Sequence, residues 1–131
     1  MSAAEIELTL PADEAFRRVA HLVVGGLATR HDLTVETLED LTLALDALLG
    51  RLDDTDEDVT VRLRFADDHV RAEIGPYRGL DVRRELAEES QDQLDLHRIL
   101  SAVCDDVTVA DRDGVQWVEL AKRVERVGSG A

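Results

Sequence analysis

The stretch LEDLTLALDALLGRL, from Leu38 to Leu52, shows the pattern around which the rest of the fold is organised. Its leucines recur three and four residues apart, which places them along one side of an α-helix. Thr34 precedes the stretch as an N-cap, and the acidic run DDTDED at residues 53–58 follows it as a solvated loop. The sequence therefore predicts a helix that buries one face against a second layer.

Segments that alternate between apolar and polar residues flank this helix. EIELTL comes before it, VTVRLRF at residues 59–65 and VRAEI at residues 70–74 form a hairpin after it, and VTVAD and VQWVELA form a second hairpin around the RDG turn. Such alternation is typical of strands with one buried face. Because hairpins pair neighbouring strands in opposite directions, we expect a mainly antiparallel sheet of four to five strands.

Two further helices are predicted. One runs from an Asp13 cap to about Arg30, and the other covers the apolar residues from Leu96 to Val103. The apolar stripe of the first of these comprises Phe16, Val19, Ala20, Val23, Val24 and Leu27. Since each helix needs a surface on which to bury its stripe, the expected fold class is a two-layer α/β sandwich with three helices on one face. The expected helical core residues are Leu38, Leu41, Leu45, Leu48, Ile99, Leu100 and Val103.

Length and charge limit the possible functions. The 131 residues suit one domain, in which residues 125–131 are expected to form a frayed tail. The net charge of −14 disfavours nucleic-acid binding but permits a basic protein partner. No apolar run is long enough to span a membrane, and the N-terminus lacks the features of a signal peptide. With a single cysteine as well, the sequence predicts a cytoplasmic protein.

The usual motifs of catalytic and metal sites are missing from the sequence. It contains no P-loop, no GxGxxG and no GxSxG. The lone cysteine, Cys104, and the four scattered histidines match no zinc-site spacing, so we predict neither a metal site nor a catalytic residue. Because Cys104 ends an apolar stripe, we expect a buried core thiol.

Three stretches carry a resemblance to a known family. They are LTLPADEAFRRVAHLVVGGLATR from Leu8, LEDLTLALDALLGRL from Leu38 and LSAVCDDVTV from Leu100. In this order and spacing they resemble the anti-sigma-factor serine kinases of the RsbW type, whose fold is the histidine-kinase-like (GHKL, Bergerat) ATPase fold. The resemblance covers roughly Glu5 to Lys122 and implies that fold for this chain.

The resembled family uses its second helix for ATP chemistry. A glutamate there polarises the attacking hydroxyl, and an asparagine four residues later binds magnesium. In this chain those positions hold Ala47 and Arg51, and neither side chain can accept a proton or ligate a cation. Asp46 is adjacent, but it points about 100° away around the helix.

The positions that would meet adenine and the phosphates have changed as well. In GPYRG, Gly75 replaces the family's aspartate, Tyr77 replaces its first glycine, and Gly79 is kept. The glycine-rich approach to the third helix corresponds to QLDLH at residues 93–97, which contains no glycine and places Asp95 toward the phosphates. We therefore expect no bound cofactor at a degenerate pocket formed by Asp46, Ala47, Arg51, Gly75 and Gly79.

The resemblance implies a function in protein binding. The chain would be an anti-sigma-factor-like regulator of transcription that contacts a sigma factor, a STAS anti-anti-sigma protein or both, and family members are homodimers. The contact arginine of the family falls on His21 in an ungapped match and on Arg18 after a shift. Arg17, Arg18 and His21 are therefore the expected partner-binding residues, although the same residues could form a solvated basic edge.

Two other hypotheses remain. The chain could be an ATP-dependent serine/threonine kinase with an atypical site for ATP and magnesium, in which Asp46, Arg51 and Arg78 would be the first residues to consider. It could also be a relative of the same fold with an unrelated partner.

Overall fold

The structure is a computed structural model that describes residues 4–52, 57–78, 81–87 and 96–127. In chain order the described elements are β1 (Ala4–Pro11), α1 (Glu14–Arg30), α2 (Val35–Gly50), β2 (Asp58–Phe65), β3 (His69–Tyr77), α3 (Val82–Ala87), α4 (Leu96–Val103), β4 (Asp106–Arg112) and β5 (Val115–Arg123).

The strands form one sheet in the order β1-β2-β3-β5-β4, and every neighbouring pair is antiparallel. Alternate residues of each central strand are buried, as the sequence pattern predicts; on β2 they are Val59, Val61, Leu63 and Phe65. The helices pack on this apolar face, and no described residue outside the strands forms a second layer on the other, uncovered face. The predicted two-layer α/β sandwich with an antiparallel sheet is therefore confirmed.

Both predicted helix caps are present. The Asp13 carboxylate accepts a hydrogen bond of 2.9 Å from the backbone N–H of Ala15 at the start of α1. The Thr34 hydroxyl oxygen accepts one of 3.2 Å from the backbone N–H of Thr37 at the start of α2. These bonds satisfy donors that a helix leaves unpaired in its first turn, so the boundaries follow from local sequence.

The predicted helical core is right for four residues and wrong for three. Leu41, Leu45, Leu48 and Leu100 are buried. Leu38, Ile99 and Val103 are only half-buried. Leu38 lies in the first turns of α2, at the edge of the helical layer. Ile99 and Val103 lie on α4, which has only eight residues, so part of each side chain stays in solvent.

Sequence alone predicts a polar connection with short helical stretches at residues 75–91, and the structure differs from this in part. Gly75 to Tyr77 continue β3, and the short helix α3 follows, so the described segments contain four helices rather than three. Tyr77 and Val82 are each 1% exposed. The segment is polar in composition, but it packs against the rest of the domain because these two side chains are buried in the core.

The apolar stripe predicted for α1 is divided by the tertiary structure. Ala20, Val24 and Ala28, spaced four residues apart, are at most 3% exposed and face the core. Phe16 and Val19 remain 40% and 38% exposed. The small side chains let the helix lie close to the sheet, and the larger apolar ones are left on the outer side.

The end of the chain also differs from the frayed tail expected at residues 125–131. The Glu125 carbonyl accepts a 2.9 Å hydrogen bond from the N–H of Thr34, and the N–H of Val127 donates to the Asp32 carbonyl at 2.6 Å. The structure thus holds Glu125 to Val127, and residues 128–131 lie outside the described part.

Among the described helices, none is long and apolar enough to cross a membrane.

Candidate functional site

The degenerate pocket predicted from the sequence is built around the last turns of α2. Asp46 points away from that pocket, as expected from its helical position, and lies against α1. Its Oδ1 is 2.7 Å from Nε2 of His21, and the two side chains are 39% and 34% exposed. The pair joins α1 to α2, but at this exposure it is worth about 0–1 kcal/mol.

The two positions that correspond to the base and the metal ligand of the resembled family take part in the packing of the domain. Ala47 is half-buried and packs against the core. Arg51 follows the last turn of α2, and its Nε lies 2.5 Å from Oε1 of Glu85 on α3. This ion pair holds α3 beside the carboxyl end of α2.

Tyr77 fills the space between the end of β3 and the end of α2. Its hydroxyl donates a 3.0 Å hydrogen bond to the backbone carbonyl of Leu48, and the residue is 1% exposed. Burial raises the pKa of the Tyr77 hydroxyl far above its ordinary value, and the nearby Glu85 carboxylate acts in the same direction. The phenol is therefore a neutral donor that closes the side of α2 on which Ala47 and Arg51 lie.

Gly75 lies directly against an aromatic ring. A Cβ atom at Gly75 would come within 2.6 Å of Cδ2 of Trp117 and within 3 Å of two further ring atoms. The Arg112 guanidinium covers the same ring, 5.1 Å from its centroid. Because van der Waals contact between carbon atoms begins at about 3.5 Å, the structure has no room for a side chain where the family has its aspartate.

An irregularity in β3 explains why Gly75 and Tyr77, two residues apart on one strand, face different surroundings. The register with β5 shifts between Ile74 and Tyr77, so both residues are buried although they are three apart. Trp117 lies between Gln116 and Val118 on β5, where Val118 and Leu120 face the core. Trp117 therefore projects toward the uncovered face. The other two predicted elements, Gly79 and residues 93–95, lie outside the described residues.

An open depression of about 480 Å³ lies next to Tyr77, at the β4–β5 turn. Its charged side chains are Arg78, Asp81 and Asp111. Arg78 is paired with Glu57 at 2.6 Å. Backbone hydrogen bonding from Arg84, followed by a hydrogen bond from Gln116, lowers the pKa of Asp81. Asp111 is paired with Arg83 at 2.7 Å, so Asp81 is the carboxylate in this lining that would repel a phosphate chain.

The three predicted partner-binding residues do not form a single patch. The Arg17 side chain lies across the end of α2, where its Nη1 would be 3.4 Å from a Cβ atom on Gly50. His21 is turned toward Asp46 on α2. Arg18 is exposed on the outside of α1. Helical spacing predicts which residues are neighbours but not which side of the helix another element covers.

Lys122, the only lysine of the chain, is a structural residue that the sequence interpretation missed. Its Nζ lies 3.0 Å from a carboxylate oxygen of Asp40 and donates a 2.8 Å hydrogen bond to the Val103 carbonyl. The side chain is 13% exposed and ties β5 to α2 and α4. The alternation of β5, in which Val118 and Leu120 face the core, is the signal that could have revealed it.

Neither a reactive thiol nor a metal cluster is found in the described part of the chain. Cys104 is half-buried rather than fully buried as predicted, and burial raises its pKa to about 11, so the reactive thiolate is scarce at neutral pH. The described residues contain no group of three or more His, Cys, Asp or Glu side chains that could hold a metal ion.

Comparison with known proteins shows a likeness in structure. No protein-family profile matches the chain, and no curated protein matches its sequence. Thirteen chains of solved structures match. One is the crystal structure of the RsbU and RsbW domains of a Mycobacterium tuberculosis protein, with a TM-score of 0.68 and 16% identity over 94% of this chain. The match spans 32% of that longer chain. At this identity the likeness shows the fold, and the chain has an RsbW-like α/β fold.

Proposed function

We propose that this protein regulates transcription by binding other proteins, as an anti-sigma-factor-like module that does not transfer phosphate. The observation that carries the proposal is the buried Tyr77, which occupies the end of α2 where the resembled family handles ATP. The structural likeness to a chain with an RsbW domain supports the class of partner, which is a sigma factor, a STAS protein or both.

Magnitudes separate the weak obstacles to nucleotide binding from the strong one. Asp46 contacts His21, and Arg51 and Arg78 are each in an ion pair, but these contacts are exposed and worth about 0–1 kcal/mol, so a bound anion could displace them. Removing Tyr77 from its site would cost about 1.5–3 kcal/mol for the ring and about 1 kcal/mol for the hydrogen bond. A nucleotide would have to supply that energy without the base, metal ligand or adenine anchor of the family.

The first prediction concerns nucleotides. Neither ATP nor ADP with magnesium at millimolar concentration should change the melting temperature, because Tyr77 occupies the end of α2 and the Asp81 carboxylate lines the nearby depression. A ligand at a hundredfold excess over its dissociation constant would add about 2.7 kcal/mol of stability, which a thermal-shift titration readily detects. Magnesium chloride alone is the control. A nucleotide-dependent rise of several degrees would instead favour the kinase hypothesis, and transfer of labelled phosphate to a STAS protein would establish it.

The second prediction concerns the partner. Arg18→Glu should leave the melting temperature nearly unchanged and weaken partner binding at least tenfold, about 1.4 kcal/mol, because Arg18 is exposed on α1. The binding assay would use the purified sigma factors and STAS proteins of the source organism. Arg123→Glu, which makes the same charge change on an exposed residue of β5, is the matched control. Wild-type affinity in Arg18→Glu would move the interface away from this side chain, and failure of every sigma factor and STAS protein to bind would favour an unrelated partner.

A further inference from the structure

The side of α1 that faces solvent is apolar along most of its length. We define the outer face of α1 as Phe16, Val19, Leu22, Val23 and Gly26, which share one side of the helix through spacings of three and four residues. Leu22 is 76% exposed and lies nearly opposite the buried Ala20 and Val24. The face is about 16 Å long, which matches three turns of a second helix.

Two glycines within α1 are not required by the packing of the described chain. A Cβ atom built on Gly25 or on Gly26 would meet no described atom within 4 Å. Glycine is a poorer helix former than alanine, so the pair weakens α1 without relieving any contact in the domain. What two adjacent glycines do provide is a low surface on which the backbone of another helix can approach closely.

The charge around the outer face is opposite in sign to that of the protein. α1 contains three arginines and one acidic residue, whereas the whole chain has a net charge of −14. Arg18 and Arg30 are exposed beside the outer face, and neither forms an ion pair or hydrogen bond with the residues that the structure describes. Arginines next to an apolar surface are suited to carboxylates on the edge of a partner.

A second copy of this chain fits the outer face poorly. In an antiparallel pair centred near residue 24, Arg18 of one copy would approach Arg30 of the other, and the two copies each carry −14. An anionic membrane would meet the same overall repulsion. The charge pattern therefore favours a partner that is acidic only along the edge of its contact surface.

We infer that the outer face of α1 docks an amphipathic α-helix of another protein, whose apolar residues follow an i, i+3, i+4, i+7 pattern between acidic rims. The apolar side chains of that helix pack on Leu22 and its neighbours, the glycines let the two backbones approach, and the rim carboxylates pair with Arg18 and Arg30. The inference rests on the proposed function, because it names the class of partner segment for the same helix.

A displayed library of helical peptides tests this inference without knowledge of the natural partner. The four apolar positions would be constant, and the rim positions would vary among glutamate, lysine, glutamine and serine. We expect selection on the wild-type protein to enrich glutamate at the rim. The selected peptides should bind Leu22→Glu at least tenfold more weakly, and should bind Leu43→Glu as they bind the wild type, because Leu43 is a 48% exposed leucine on α2.

A glycine substitution gives an independent readout. Gly26→Ala should raise the melting temperature, because the added methyl group has open space and alanine favours the helix, and it should weaken peptide binding severalfold. A merely structural glycine would not separate stability from affinity in this way. Unchanged peptide affinity in Gly26→Ala would remove the close approach of backbones from the inference.

Three results would overturn the inference as a whole. The first is that no selected peptide loses affinity for Leu22→Glu. The second is that the selection enriches lysine at the rim. The third is that the wild-type protein dimerises or binds anionic vesicles and that Leu22→Glu abolishes this association. Failure of the proposed function would look different. If acid-rimmed helices bind while no sigma factor or STAS protein does, the face is a helix-docking site with another partner. If a sigma factor or STAS protein binds Leu22→Glu normally, the proposed function stands and this inference fails.

Discussion

Gly75→Asp, which would restore the aspartate of the resembled family, is expected to destabilise the protein by more than about 3 kcal/mol. Its Cβ atom alone would come within 2.6 Å of the Trp117 ring, on a neighbouring strand that cannot easily move aside. The substitution also places a carboxylate at a buried position. Because small domains are stable by only about 5–15 kcal/mol, the loss would be a large part of the total.

Urea unfolding followed by circular dichroism would measure this loss, and a double-mutant cycle with Trp117→Ala would assign it. We expect the two substitutions to be coupled by about 2 kcal/mol or more, because removing the ring relieves the overlap. Fluorescence cannot serve for the cycle, since Trp117 is the only tryptophan. Near wild-type stability of Gly75→Asp would show that β3 can turn away from the Trp117 ring.

Arg126→Ala should cost about 2–4 kcal/mol, since it leaves three backbone carbonyls without a donor. The guanidinium donates to Ala66 at 2.9 Å, to Asp67 at 3.2 and 3.3 Å, and to the carbonyl of His31. It thereby joins the end of the chain to the β2–β3 turn and to the connection between α1 and α2. An alanine would remove this side-chain link and leave the backbone hydrogen bonds of Val124, Glu125 and Val127 between the three segments.

Two comparison variants sharpen the Arg126 prediction. Arg126→Lys keeps the charge but lacks the planar fork of donors, so it should recover less than half of the lost stability. Arg123→Ala, an exposed arginine three residues earlier, should change the free energy of unfolding by no more than about 0.5 kcal/mol. Hydrogen exchange of the Thr34 and Val127 amides should accelerate in Arg126→Ala, because their hydrogen bonds lie beside the Arg126 guanidinium. Equal stability of Arg126→Ala and Arg123→Ala would contradict the claim that the Arg126 side chain stabilises the fold.

The fold was predictable because its determinants are local. Alternating strands, the caps at Asp13 and Thr34 and the leucine spacing of α2 each depend on residues within a few positions of one another. The identities of Ala47 and Arg51 were equally visible; neither side chain has the atoms of the base or metal ligand that the resembled family carries at those positions, whatever surrounds them. Which residue stands at each of these positions is read directly from the sequence, without knowledge of the fold.

The contents of the candidate site were decided by tertiary structure. The closure by Tyr77 depends on a register shift in β3 and on a carbonyl 29 residues away. Trp117 reaches Gly75 from another strand. Neither contact leaves a periodic trace in the sequence, because each arises from packing between elements that are distant along the chain.

The helix α1 shows the same division within one element. Its sequence determines a capped helix with apolar residues on two sides, and nothing in the spacing indicates which side the sheet covers. Packing selects the side with small residues, Ala20, Val24 and Ala28, and leaves Leu22 in solvent. Sequence thus determined the elements and the side chains at the positions where the resembled family handles ATP, whereas the tertiary structure decided which apolar surface of α1 remains in solvent, because burial depends on close packing between distant segments.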